Sequence, residues 1–340
     1  MNGLSLAPMR ASDITTSGTI ERWLAENNMG LAVTTGISMR LLTFGTENDG
    51  RIAVCESVFD VPRALWSDGK TMLVSSRSRV HRLTYGAAPG RLPDHEERFY
   101  CPRSTHTTGE LDIGDIARDA EGRTIFVNTQ FNCLATIDDK HSFSPAWRPP
   151  FIAKLTAENR CHLSGLALRN GAPAYVTAYA ASDTPGGYLN KRRDGGCIVD
   201  VATKKIVAEG LSLPRSPRWY QEKLWLHQAG TGYFGYWDFA RRRFEPVAFC
   251  PGLPDGLVFY GNHAVMGYSA PRTKEQIAGL PIEKNLREKG VTAGCGVHVV
   301  DLRSGDVAHW IRLDGELREV CGVAVLEGVK KPLVLTVGRA

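Results

Sequence analysis

Pro62-Arg63-Ala64-Leu65-Trp66, a turn at Asp68-Gly69, then Met72-Leu73-Val74-Ser75-Ser76 is the stretch on which the fold turns. Two short apolar runs flank an Asp-Gly pair, which is the pattern of an antiparallel β-hairpin. The pattern recurs. Asp115-Ile116-Ala117, a turn at Glu121-Gly122 and Ile125-Phe126-Val127-Asn128-Thr129 make one further copy. Gly165-Leu166-Ala167, Asn170-Gly171 and Ala174-Tyr175-Val176-Thr177 make another. Later copies start near Pro217, Gly256 and Gly322 and continue into Leu224-Trp225-Leu226-His227, Ala264-Val265-Met266-Gly267 and Pro332-Leu333-Val334-Leu335. A weaker copy, Arg22 to Thr35, matches Arg63 to Ser76 at an offset of about 41 residues.

Steps of roughly 40 to 65 residues suit one four-stranded antiparallel blade per step. Outer strands are visible too, such as Cys197 to Val201 after an Asp194-Gly195-Gly196 turn. Helical periodicity is confined to Lys274 to Lys289, whereas a parallel α/β sheet would need helices between its strands. The pattern predicts an all-β fold, a β-propeller of seven blades. Six is the alternative, should residues 22–28 be helix rather than strand. Pairing the last blade, Leu317 to Val337, with an N-terminal strand would close the ring and remove its exposed edges. Residues 1–340 then read as one propeller domain with loop insertions at about 85–111, 182–196 and 270–294. Loops of this length beyond the needs of the blades are commonly functional.

Composition narrows the class of function. The chain has 340 residues, 43% hydrophobic and 23% charged, with a net charge of +5. These values exclude collagen-like, low-complexity and wholly disordered readings. The mild basicity does not point to nucleic acid, because Lys191-Arg192-Arg193 and Arg241-Arg242-Arg243 lie in turns without interleaved aromatics. No apolar run approaches the roughly 20 residues that span a bilayer, and Met1 to Thr15 lacks a signal-like apolar core. Eight scattered cysteines form no CxxC pair, so a reduced, cytoplasmic protein without a zinc ribbon is expected. Gly230-Thr231-Gly232-Tyr233-Phe234-Gly235 spells a dinucleotide fingerprint, but Tyr236-Trp237-Asp238 continues as strand. Without a helix N-terminus to receive phosphate this reads as a hairpin turn, and no nucleotide cofactor is expected.

In a propeller the start of each innermost strand and the end of the next strand share one face of the disc. Residues at those points converge on a mouth of the central channel. They are Arg63, Ser76 and Arg77; Asp112, Asp115 and Asn128; His162 and Ser164; Arg215, Ser216, His227 and Gln228; Asp255, Tyr268 and Ser269; and Arg318 and Glu319. The set is polar, mixed in charge and rich in groups that move protons, which makes it the default ligand site. As a metal site, Asp115, Asn128, Asp255 and Glu319 would offer oxygen ligands to one divalent ion, Ca or Mg, and a histidine would shift the preference to Mn or Zn. In the metal-free version His162 or His227 is the base, with Asp115 and Glu319 as further catalytic candidates, and Arg63 or Arg215 binds an anion. Asn128, Ser164, Ser216, Arg218, Gln228, Tyr268 and His106 complete the expected substrate-binding set.

Several strings carry a resemblance. Leu111-Asp112-Ile113-Gly114-Asp115, Phe126 to Thr136, His141 to Ile152, Cys161 to Ala167, Gly210 to Trp219 and Phe244 to Gly252 together resemble a bacterial family of conserved hypothetical proteins, domain of unknown function 4915. The resemblance runs from about Trp23 onward and implies a propeller-like fold, with no activity or residue role to carry over. More distantly the blade pattern is similar to gluconolactonase-like and strictosidine-synthase-like propellers, several of which use a central metal or polar pocket. The expected function is a small-molecule enzyme of hydrolase, lyase or isomerase type, acting on a small polar or anionic substrate at the propeller centre. The alternative is a non-catalytic propeller that binds a peptide or protein on its disc face. Neither nucleic acid nor a membrane is an expected partner.

Overall fold

The computed structural model describes residues 13–87 and 98–335. Among these residues six antiparallel sheets are arranged as the blades of a propeller. Five blades follow chain order from the inside out. Blade 2 begins with Leu65–Ser67, blade 3 with Ile113–Arg118, blade 4 with Leu163–Arg169, blade 5 with Pro214–Tyr220 and blade 6 with Leu253–Tyr260. Blade 1 is made from both ends of the chain. Its innermost strand, Gly322–Glu327, pairs antiparallel with Met29–Thr35, with Thr34 opposite Gly322 and Met29 opposite Glu327.

That pairing is why the count is six and not seven. The weak first copy and the last copy are the two halves of one blade. Residues read as the start of the first copy form helix α1 (Ile20–Glu26) instead of a strand, as the six-bladed alternative required. Its Ile20, Trp23 and Leu24 are buried against blades 1 and 6. The segment Pro332 to Leu335 is not an inner strand either: Tyr100 N–H bonds the Leu333 carbonyl, and Thr46 N–H bonds that of Lys330, so the tail staples blade 1 to blade 2. At the other end Ile14–Thr16 adds a fifth strand to blade 6. Segments near both ends of the described residues therefore work at the ring closure, where Gly322–Glu327 takes Met29–Thr35 as its partner.

The hairpin signals hold in detail. Asp68 accepts the Lys70 and Thr71 N–H groups while Gly69 takes φ +83°, and Asn170-Gly171 has φ +53° and +73°. Residues 229–232 form the turn between Lys223–Gln228 and Tyr233–Asp238, so the glycine-rich string is a hairpin. The single helix expected over 274–289 is broken into α2 (Lys274–Ile277) and α3 (Pro281–Glu288). Gly279 at φ +73° and the following Pro281 end one and start the other. Of the insertion at 85–111, residues 88–97 lie outside the described residues. The rest lengthens the outer hairpin of blade 2, Arg79–Ala87 with Arg98–Thr107. Blades pack face to face, so Met29–Thr35 is buried at every position.

Candidate functional site

The inner strands repeat a six-residue phrase. Aligned on it, Arg63, Gly114, Ser164, Arg215, Asp255 and Cys321 occupy one position, followed by Ala64, Asp115, Gly165, Ser216, Gly256 and Gly322. Apart from Asp115, the second group is small, and adjacent inner strands nearly touch there. A Cβ on Gly256 would lie 2.8 Å from Val323 N, and one on Gly322 would lie 2.8 Å from the Arg63 carbonyl. Of the first group, Arg63, Arg215, Asp255 and Cys321 line one cavity. Arg63 and Arg215 belong to blades three steps apart in a ring of six, so they approach from opposite sides. They line a cavity of about 240 Å³ with Asp255, Glu319, Cys321 and Tyr179.

Two insertions roof this cup. Arg192, from the loop at 182–195, donates to the Gln276 carbonyl of α2 at 3.0 Å, and Arg193 donates to the Gly279 carbonyl at 3.0 Å. The Ile282 N–H of α3 bonds the Gly230 carbonyl, and an apolar cluster of Tyr179, Leu213, Leu280, Ile282 and Leu286 fastens the cap to blades 4 and 5. Arg192, Arg272 and Gln276 thereby join the cavity wall. Four guanidinium groups surround the space. Arg63 pairs with Asp112 at 2.6 Å, Arg272 with Glu319 at 2.5 Å, and Arg215 pairs with Asp255.

Beside the cup lies an aromatic stack. The His162 ring is 4.2 Å from that of Tyr179 and 4.8 Å from that of Tyr188. Asn159 Nδ2 approaches His162 Nδ1 at 3.0 Å. Burial, and then the charges of Arg215 and Arg63, push the His162 pKa well below its ordinary value, so the imidazole is neutral near pH 7. Burial raises the Tyr179 hydroxyl against the opposing pull of Arg215, so it keeps its proton. Arg215 Nε donates to that hydroxyl, and among the described residues nothing accepts the tyrosine's own proton. For Glu319 burial acts to raise the pKa, but the bond and charge of Arg272 outweigh it and hold the carboxyl below its usual range. Burial raises the Cys321 thiol, so no thiolate faces the cavity near neutrality.

Of the expected residues, the structure gathers Arg63, Arg215, Asp255 and Glu319 in the cup wall, with His162 beside them. It assigns others to the framework. Asp115 was expected to serve in catalysis or metal binding, yet its carboxylate already accepts four bonds. Ile116 N–H and Arg218 Nη2 reach Oδ1, each at 3.0 Å, while Leu166 N–H at 3.0 Å and Arg218 Nη1 at 2.7 Å reach Oδ2. That count fills its acceptor sites. Arg218 also donates to the Leu166 and Leu257 carbonyls, so this one pair ties blades 3, 4, 5 and 6 across the channel. Ser164 donates to the Pro214 carbonyl, and Ser216 donates to Asp255 while accepting from Gly256 N–H.

His227 is fully buried, with Nε2 on the Gly256 carbonyl and Nδ1 unpartnered, and burial lowers its pKa to about 4. Asn128 is fully buried and caps its turn through Phe131 N–H. Gln228 accepts from Ser212 N–H, Tyr268 packs against His298 in the blade 6 core, and His106 sits on an outer strand against the Ser142 carbonyl. Among the described residues no three His, Cys, Asp or Glu side chains come together as a metal site. The expected set of Asp115, Asn128, Asp255 and Glu319 is dispersed and engaged in protein hydrogen bonds, so it does not fit a shared ion.

Tyr179, Arg192 and Arg272 escaped the sequence reading. Tyr179 follows directly on Ala172–Ala178, at the end of a second strand where a mouth residue belongs, so extending that copy by two residues would have found it. The cap arginines carry no such periodic signal.

The chain matches the model of a family described as domain of unknown function (DUF4915) over residues 18–335. The chain belongs to this family. Three of the strings noted in the sequence, 111–115, 161–167 and 210–219, lead into the first strands of blades 3, 4 and 5 and carry Asp112, which pairs with Arg63, His162, which stacks on Tyr179, and Arg215 of the cup wall. No curated protein matches the chain. Among solved structures it is similar to the nidogen/laminin complex, with a TM-score of 0.53 and 14% identity, covering 88% of this chain and 99% of that one. That likeness carries the fold alone. A virginiamycin B lyase from Staphylococcus aureus, solved in an inactive form with quinupristin, has a TM-score of 0.40 and 12% identity over 70% of this chain and 73% of that one. No helix among the described residues is long and apolar enough to cross a membrane.

Proposed function

We propose that this propeller is an enzyme that holds a small anionic molecule in the capped central cup and acts on it by proton transfer, as a hydrolase, lyase or isomerase does. The observation that carries this reading is the lining of the cup. Four arginines meet around about 240 Å³, beside a neutral imidazole and a protonated phenol. Guanidinium groups bind and orient carboxylates and phosphates. A neutral His162 can take a proton, and a protonated Tyr179 can give one. The cavity is smaller than the pockets of drug-sized ligands, which favours a compact metabolite.

The test has two stages. Thermal shift and calorimetry against small carboxylates, phosphates, neutral sugars and amines should show binding of the anions only. Binding restricted to neutral or cationic compounds overturns the reading. A bound anion is then incubated in deuterium oxide and followed by proton NMR. Enzyme-dependent exchange or conversion that is lost in His162→Gln, with binding retained, supports proton transfer. Binding without either supports a non-catalytic ligand-binding propeller.

A further inference from the structure

We propose that Arg192, carried on the cap, receives the single oxyanion group of the ligand and determines the specificity of the cup. This rests on the anion reading above and extends it to a ligand class: a small molecule with one carboxylate or one phosphate. Three of the four arginines around the cup are already matched, Arg63 by Asp112, Arg215 by Asp255 and Arg272 by Glu319. Arg192 has no carboxylate within 4.0 Å among the described residues, so the surplus positive charge of the cup resides on it.

Its guanidinium carries five N–H donors. Among the described residues a single side-chain bond, to the Gln276 carbonyl, uses one of them and fixes the side chain at the roof of the cavity. A half-buried cation with unused donors facing a small polar space is complementary to an oxyanion. The Tyr179 hydroxyl faces the same space. It accepts from Arg215 and has its own proton free to donate, so it supplies a second, neutral donor for the group that Arg192 holds. The neighbouring Arg193 provides an internal contrast. It bonds a cap carbonyl in the same way, at Gly279, but is exposed and does not line the cavity.

The experiment uses the full chain and titrates glycolate, succinate and inorganic phosphate by calorimetry into wild type and five variants. Wild type is expected to bind glycolate or phosphate, and the comparison of those two arms tells a carboxylate site from a phosphate site. Arg192→Gln should weaken the better probe by about tenfold or more without lowering the melting point, and Arg192→Lys should recover part of the loss. Tyr179→Phe should weaken it by about three- to tenfold. Arg193→Gln should stay within about twofold of wild type.

Equal losses in Arg192→Gln and Arg193→Gln would overturn the inference, because the arginines would then serve only to dock the cap. Succinate binding more tightly than both other probes would overturn the single-oxyanion class. If Arg215→Gln abolishes binding while Arg192→Gln does not, the anion reading stands and this inference fails. If no probe binds wild type at millimolar concentration, both fail together.

Discussion

Arg215 and Arg218 lie three residues apart on one inner strand, and each pairs with an aspartate of another blade, yet they do different work. Arg218 and Asp115 are bound into the framework. The carboxylate accepts four bonds, and Arg218 Nε and Nη1 also reach the Leu166, Pro217 and Leu257 carbonyls. Arg215 and Asp255 are also paired, but they stand at the edge of a cavity, and the phenol that Arg215 touches has a proton without an acceptor. A buried ion pair whose hydrogen bonds are complete is a fastening. One left incomplete beside an open space is a binding surface.

The largest expected effect lies on the fastening side. Asp115→Ala strands the Arg218 guanidinium among four blades and should cost about 3–5 kcal/mol in urea unfolding, whereas the paired change Asp115→Leu with Arg218→Met should recover much of it. An Asp115→Ala protein of unchanged stability would show that the Asp115–Arg218 pair does not fasten the blades.

Acid sensitivity comes next. Burial lowers the pKa of His227 and of His298 from 6.5 to about 4, so both are neutral when folded. Below about pH 6.5 the unfolded chain binds protons that the folded chain refuses, and stability should fall as the pH drops from 6.5 toward 4. Each histidine contributes up to about 3 kcal/mol to that fall. Replacing His227 with Gln should flatten the profile, and an unaltered slope would show that the ring is hydrated or charged.

Smaller effects are expected around the cup. Arg215→Gln should cost about 1–2 kcal/mol of stability, less than the Asp115 change, while removing most of the affinity for a small carboxylate. The reverse ranking would make Arg215 a second fastening. Smallest is Arg272→Ala. Its side chain is mostly exposed, so chemical denaturation should register less than about 1 kcal/mol, and the change should be read chiefly in anion affinity.

Much of the architecture was legible because it repeats. The Asp-Gly and Asn-Gly turns between apolar runs mark hairpins by local backbone chemistry, and their spacing marks blades. The count was overread by one because the copy that ends in Met29–Thr35 and the copy that starts at Gly322 each look like a unit of their own. Only their pairing makes them one. The cup was legible in part, since Arg63, Arg215, Asp255, Glu319 and His162 follow from strand ends meeting at the axis. Asp115, Asn128 and His227 share that periodic position but point into hydrogen bonds between blades or within turns, and strand periodicity does not report which polar group is satisfied.

Hairpins, blade spacing and the axial ring of residues depend on neighbours close in sequence, so one-dimensional pattern suffices to define them. Blade number, the Asp115–Arg218 fastening and the cap that brings Arg192 and Arg272 over Arg63 and Arg215 depend on partners tens to hundreds of residues away. Those contacts form only where chain closure and packing place them, and no local propensity records the outcome.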